Sequence, residues 1–160
     1  MWGEKKKWIR ILDRLWLKNH HVSQFYRRAT GVATEAHLKR SLVKYASKRA
    51  QFAFELSQQI SRLGGKPPVY ETFSGGEATI SLSFSEENKE RILRKSIEIE
   101  KESLELYSHS LSIVNDGGIR EILLRHRAAV TIVVRELQKL NALPPLEEDE
   151  DKLTNKNQQS

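Results

Sequence analysis

The sequence contains no cysteine. That excludes disulfide staples, thiolate metal sites and cysteine nucleophiles. Proline and glycine are sparse, four and eight in 160 residues, and they fall mostly between long periodic segments, as in helical proteins. No apolar run approaches the roughly 20 residues needed to span a bilayer. The start, "MWGEKKKWIRILDRLWLK", is basic but lacks the unbroken apolar stretch of a secretory signal. No phosphate-binding glycine loop is present, since "SGGEAT" lacks the following lysine and helix. The pairs His20–His21 and Ser108–His109 have no third group to orient them, so nucleophilic or acid–base chemistry has little support. The expectation is a cytoplasmic protein that is not an enzyme.

What is present is long helical periodicity. Helices are expected at about 4–30, 34–63, 85–114 and 118–141. Gly31 is placed to stop the first, and Thr34 to cap the second. "RLGGKPP" ends the second, Ser83 and Glu86 have capping-box spacing before the third, and "NDGG" separates the third from the fourth. The connection 64–84 is long for a helix–helix loop, and its centre alternates apolar and polar residues in the manner of a short hairpin or extended cover. It is long enough to run back along the bundle, which implies an up-down-down-up, antiparallel four-helix bundle over residues 1–143. Residues 144–160 are polar, acidic and aperiodic, and read as a disordered tail. The tail from Glu147 on carries a net charge of −3 against +6 for the whole chain, so the bundle is strongly basic.

Each expected helix presents one conspicuously polar residue on its apolar face. Asn19 lies among Trp8, Leu12, Leu15, Val22 and Tyr26. Arg49 lies among Leu38, Leu42, Tyr45, Phe52, Leu56, Ile60 and Leu63. Glu100 lies among Leu93, Ile97, Leu104, Tyr107 and Leu111, and His126 among Ile122, Val130, Val133, Leu137 and Leu140. With the crossover topology the four share one height and can form a single buried layer, with Tyr26 and Tyr107 available to satisfy donors and acceptors. Glu98, Glu102, Glu105 and His109 resemble metal ligands in one dimension, but they fall on the opposite side of their helix and read as a solvated face.

The chain also repeats itself. A shift of 77 lays Arg49 on His126 and matches both proline pairs, and a shift of 81 lays Asn19 on Glu100 and Tyr26 on Tyr107. On these residues the sequence resembles the ferritin-like superfamily, and within it small stand-alone bacterial proteins whose second helix ends "RLGG-x-P". The resemblance implies a di-iron ancestry, in which the first helix of each hairpin supplies a glutamate with a tyrosine seven residues later, and the second supplies Glu-x-x-His. Glu100 and Tyr107 match the first motif, while Asn19 and Tyr26 match it without the glutamate. Leu123 and His126 keep only the histidine, and Ala46 and Arg49 keep neither ligand. The implied site is therefore degenerate.

One carboxylate and one imidazole cannot balance two metal cations, and a guanidinium in the same layer repels them. The expectation is a structural Glu100–Arg49 pair with no cofactor, in a binding or assembly module with a protein partner or a second copy of itself. The competing reading is a mononuclear iron or other divalent transition-metal site on Glu100 and His126. Two surface readings stand beside it. Lys5–Lys7, Arg10, Arg14, Trp2, Trp8 and Trp16 suit contact between the first helix and an anionic membrane surface. Lys39, Arg40, Lys44 and Lys48 suit nucleic acid, although no interleaved aromatic platform accompanies them.

Overall fold

The computed structural model describes residues 2–68 and 89–142. They form α1 (Trp2–Val32), α2 (Ala36–Arg62), α3 (Lys89–Ile113) and α4 (Gly117–Ala142). The expected hairpin or cover between α2 and α3, the Ser83–Glu86 capping box and the 144–160 tail lie outside the described residues.

Side-chain bonds fix the direction of each helix. From Asn19 to Tyr26 along α1, the partners on α3 run backwards from Tyr107 to Glu100, so these helices are antiparallel. From Tyr45 through Glu55 to Arg62 along α2, the partners on α4 run from Glu136 through His126 to Asp116, just before its first turn. With α1–α2 and α3–α4 joined by short antiparallel turns, the order is up-down-down-up, as expected from the length of the second connection.

Two expected helix boundaries are corrected. Gly31 does not stop α1, which continues to Val32 with no left-handed residue there. Nor does Thr34 cap α2. The N-cap position belongs to Glu35, whose side chain makes no capping bond and instead pairs with Lys89 at 2.9 Å. The end of α2 is firmer. Gly64, at φ 87°, donates to Ser61 O (3.0 Å), and Gly65 donates to Ile60 O (2.9 Å), the paired bonds of a Schellman cap. A side chain at Gly65 would press on Ile9 and Ile60 at 3.0–3.1 Å, so glycine also permits the close approach to α1. Asp116 caps α4 through Ile119 N–H (2.9 Å). Arg120 reaches back to the carbonyls of Leu111 and Val114, placing a cation at the negative end of α3.

The core falls into two apolar clusters, one around Val22, Tyr26, Leu42 and Leu93 and the other around Leu12, Leu56, Tyr107 and Leu123. The expected stripes are partly corrected. Trp8, Ile97, Leu104, Ile122, Val133 and Leu140 are only partly buried. On α3 the buried face is rotated toward Ile92, Ser96, Ile99, Ser103 and Ser110, because three serines at heptad spacing hide their polarity. Each donates to the carbonyl four residues back, at 2.6, 3.1 and 2.7 Å, and so enters the core satisfied. Glu98, Glu102, Glu105 and His109 are exposed.

Candidate functional site

At mid-height, four helices contribute polar side chains to one buried hydrogen-bonded layer. Arg49 from α2 and Glu100 from α3 face each other across the bundle diagonal, with side chains 3% and 1% exposed. Arg49 Nη2 donates to Glu100 Oε2 at 2.6 Å, and Tyr26 from α1 donates its hydroxyl proton to Oε1. Both carboxylate oxygens are thereby occupied. The other terminal nitrogen of Arg49 donates to Asn19 Oδ1 at 2.7 Å. Asn19 Nδ2 in turn donates to Tyr107 Oη (2.8 Å) and to Leu15 O (2.7 Å).

The donors can be followed outward. Because Tyr107 Oη accepts from Asn19, its own proton points to His126 Nδ1, 2.9 Å away. His126 then carries its proton on Nε2 and donates to Glu55 Oε2 at 2.8 Å. Glu55 also accepts two bonds from the Arg125 guanidinium, at 3.2 and 2.9 Å. A single direction of donation thus runs from Arg49 through Asn19, Tyr107 and His126 to Glu55 at the bundle edge.

The electrostatics agree with this pattern. Burial pushes the His126 imidazole down to about 4, outweighing the pull of Glu55, so the ring is neutral and its contact with Glu55 is a hydrogen bond rather than an ion pair. Its ring stacks on Phe52, with centroids 3.9 Å apart, and meets Tyr107 edge-on. Burial raises the Glu55 carboxyl, but the bonds from Arg125 and His126 outweigh it and leave it below its ordinary value. Burial works against the Arg49 charge, and Glu100 together with Tyr107 and Tyr26 outweighs it, so the guanidinium is held above its usual range. Burial, followed by the Glu100 charge, drives the Tyr26 phenol well above its ordinary value. Burial likewise raises Tyr107.

The structure therefore brings Asn19, Arg49, Glu100, His126, Tyr26 and Tyr107 into one network. Ala46 and Leu123 line the core beside it without polar groups. Sequence reasoning missed Glu55. It sits on the flank of the α2 stripe, outside the inward-facing set, and is selected only by the register between α2 and α4. That register was the one available signal: antiparallel pairing aligns position 55 with 126 as it aligns Tyr45 with Glu136.

Among the described residues, no group of three or more His, Asp or Glu side chains could hold a metal ion. A cavity of about 10 Å³ borders Arg49, Glu100 and Phe52, space for about one water. A surface groove of about 530 Å³ lies at the bundle end between Arg62, Asp116, Glu121 and Arg125. Its arginines are engaged with Asp116 and Glu55.

Comparison with known proteins matches this architecture. The bacterioferritin of Desulfovibrio desulfuricans, described with its diiron site in different catalytic states, superposes with a TM-score of 0.74 at 15% identity, over 88% of this chain and 81% of that one. The dodecameric thioferritin of Bacteroides fragilis, a bacterioferritin-related protein, superposes at 0.76 and 14%, over 95% and 90%. Ferritin-like, diiron-carboxylate proteins from Bacillus anthracis give 0.68 and 20%, over 86% and 97%. At these identities the likeness is one of fold. No curated protein matches the chain. A family model described as a domain of unknown function, DUF2383, matches residues 7–112, and the chain belongs to that family, carried on a ferritin-like four-helix bundle.

Proposed function

We propose that this protein is a non-enzymatic binding or assembly module whose central layer is structural. The observation that carries this reading is the occupancy of Glu100: Tyr26 and Arg49 take both oxygens. A two-iron centre needs several carboxylates with free lone pairs. This layer offers Glu100, with a hydrogen bond on each oxygen and a permanent cation beside it, and Glu55, held by Arg125 and His126 at the bundle edge. Both nitrogens of His126 are also used, by Tyr107 and Glu55. The donor set does not fit a di-iron centre, and the mononuclear alternative on Glu100 and His126 would first have to break these bonds.

The scale of the internal space supports the same reading. Small-molecule sites occupy roughly 300–1,000 Å³, whereas the cavity beside the pair is about 10 Å³. What the fold offers instead is a rigid rod with a large outer surface, and the dodecameric thioferritin shares that fold. Self-association is accordingly the form of assembly proposed. The test is elemental analysis of protein purified without chelator, together with sedimentation over a range of concentrations. Substoichiometric metal and a concentration-dependent mass are expected. Near-stoichiometric iron, manganese or zinc would overturn the structural reading of the layer.

A further inference from the structure

The outer face of α2 carries large apolar side chains in the open. Phe54 is 62% exposed and Val43 51%, among the largest exposed apolar side chains described. Between them on the same face lie two small residues, Ser47 and Ala50. At about 100° per residue the four fall within about 60° of one line. The stripe points away from α4, which α2 meets through Tyr45, Phe52 and Glu55.

The pattern is symmetric about its centre. Val43, Ser47, Ala50 and Phe54 are spaced by four, three and four residues, with bulky side chains at the ends and small ones in the middle. Two such stripes laid antiparallel about a twofold axis put Ser47 against the partner's Ala50 and Val43 against the partner's Phe54. The small central pair lets the helix axes approach, and each ring covers a valine. The Ser47 hydroxyl does not forbid this packing, because a helical serine can return its proton to its own backbone, as Ser96, Ser103 and Ser110 do. A twofold interface must be self-complementary in this way.

The flanking charges select the same orientation. Lys39, Arg40 and Lys44 border the first half of the stripe, whereas Gln51, Ser57 and Gln58 border the second. An antiparallel twofold brings each edge against the same edge of the partner, running the other way. Arg40 then lies near the partner's Gln58, Lys44 near the partner's Gln51, and Lys39 near the partner's Ser57, so each cation meets a neutral polar group. A parallel twofold would bring opposite edges together at equal height and set Arg40 against the partner's Lys39, which is repulsive. We infer that the Val43–Phe54 face of α2 is a homodimer interface whose occupant is the antiparallel α2 of a second copy of this chain. This rests on the assembly reading above and names its partner and contact face.

The experiment uses the full chain. Sedimentation equilibrium of the wild type is expected to show the weight-average mass rising from the 18.5 kDa of one chain toward twice that value. Phe54→Lys is expected to weaken the dimer at least ~tenfold, as loss of an aromatic anchor does. Because Phe54 is exposed, helicity should not fall, and the melting temperature should match that of the wild type at concentrations where both are monomeric. Cross-linking supplies the orientation, and the absence of native cysteine makes it clean. An equimolar mixture of Ser47→Cys and Ala50→Cys variants should form the mixed disulfide faster than either variant joins to itself. Faster self-joining of both variants would indicate parallel pairing and overturn the inference. A dimer indifferent to Phe54→Lys would overturn this face while leaving self-assembly intact. A wild type that stays monomeric at every concentration would overturn the dimer and self-assembly together, and assign the stripe to another protein or to lipid.

Discussion

Arg49 and Glu100 belong to different hairpins, yet their side chains meet at 2.6 Å across the bundle diagonal. All four helices depend on this pair for the geometry of the layer, since Tyr26, Asn19 and, through Tyr107, His126 orient around it. Two unit charges about 4 Å apart attract by roughly 4 kcal/mol at an effective dielectric of 20, and desolvation offsets much of that. The pair therefore specifies an arrangement more than it adds stability.

Breaking one half of the pair is expected to be severe. Arg49→Met strands the Glu100 charge and should cost roughly 3–5 kcal/mol. The double variant Arg49→Met/Glu100→Leu should recover most of that loss, because matched apolar groups need no partner. Urea unfolding of both singles and the double measures the coupling. Strictly additive losses would mean that the two charges do not stabilise each other.

Tyr107 is the link on which the direction of donation turns. Tyr107→Phe leaves Asn19 Nδ2 with Leu15 O as its sole acceptor and His126 Nδ1 without a donor in the core. The expected cost is about 1–3 kcal/mol, the desolvation penalty of an unsatisfied buried group. Chemical denaturation reports it. In the same variant Glu55 still holds the His126 proton on Nε2, so the ¹⁵N shifts of the ring should report the same tautomer.

Acid should destabilise the fold through His126. Its pKa falls from an ordinary 6.5 when unfolded to about 4 when folded, so between those values the unfolded chain binds the extra proton. Stability then decreases as pH falls from about 6.5 to 4, by roughly 3 kcal/mol from this residue. His20 and His21 are also lowered, chiefly by burial, and contribute in the same direction. A His126→Gln variant removes the His126 share, and an unchanged slope of stability against pH would refute the assignment.

The outer end of the network should matter far less than its centre. Arg125 holds Glu55 with two bonds, but its side chain is 56% exposed. Arg125→Ala is expected to cost about 1 kcal/mol or less, with the loss diminishing further at high salt. Thermal melts at two ionic strengths check this. A loss rivalling that of Arg49→Met would mean the network acts as one unit from surface to core.

The positions of Asn19, Arg49, Glu100 and His126 on apolar faces were legible in the sequence, because helical periodicity turns spacing into direction. The crossover topology was legible as well, since a connection of that length can run back along the whole bundle. Even the shared height of the polar layer followed from counting residues at a fixed rise. All of these are properties of single helices and of the chain lengths between them.

Partnership was decided elsewhere. Periodicity states which face of a helix turns inward, but not how far that helix rotates against its neighbours. Hence α3 buries Ser96, Ser103 and Ser110, polar residues that satisfy themselves on their own backbone, and leaves Leu104 and Ile97 at the edge. Hence also Glu55, from the flank of α2, is the residue that accepts the hydrogen bond from His126. The order of donation through Asn19 and Tyr107 depends on distances of a few ångströms between four helices, and only their packing sets those distances.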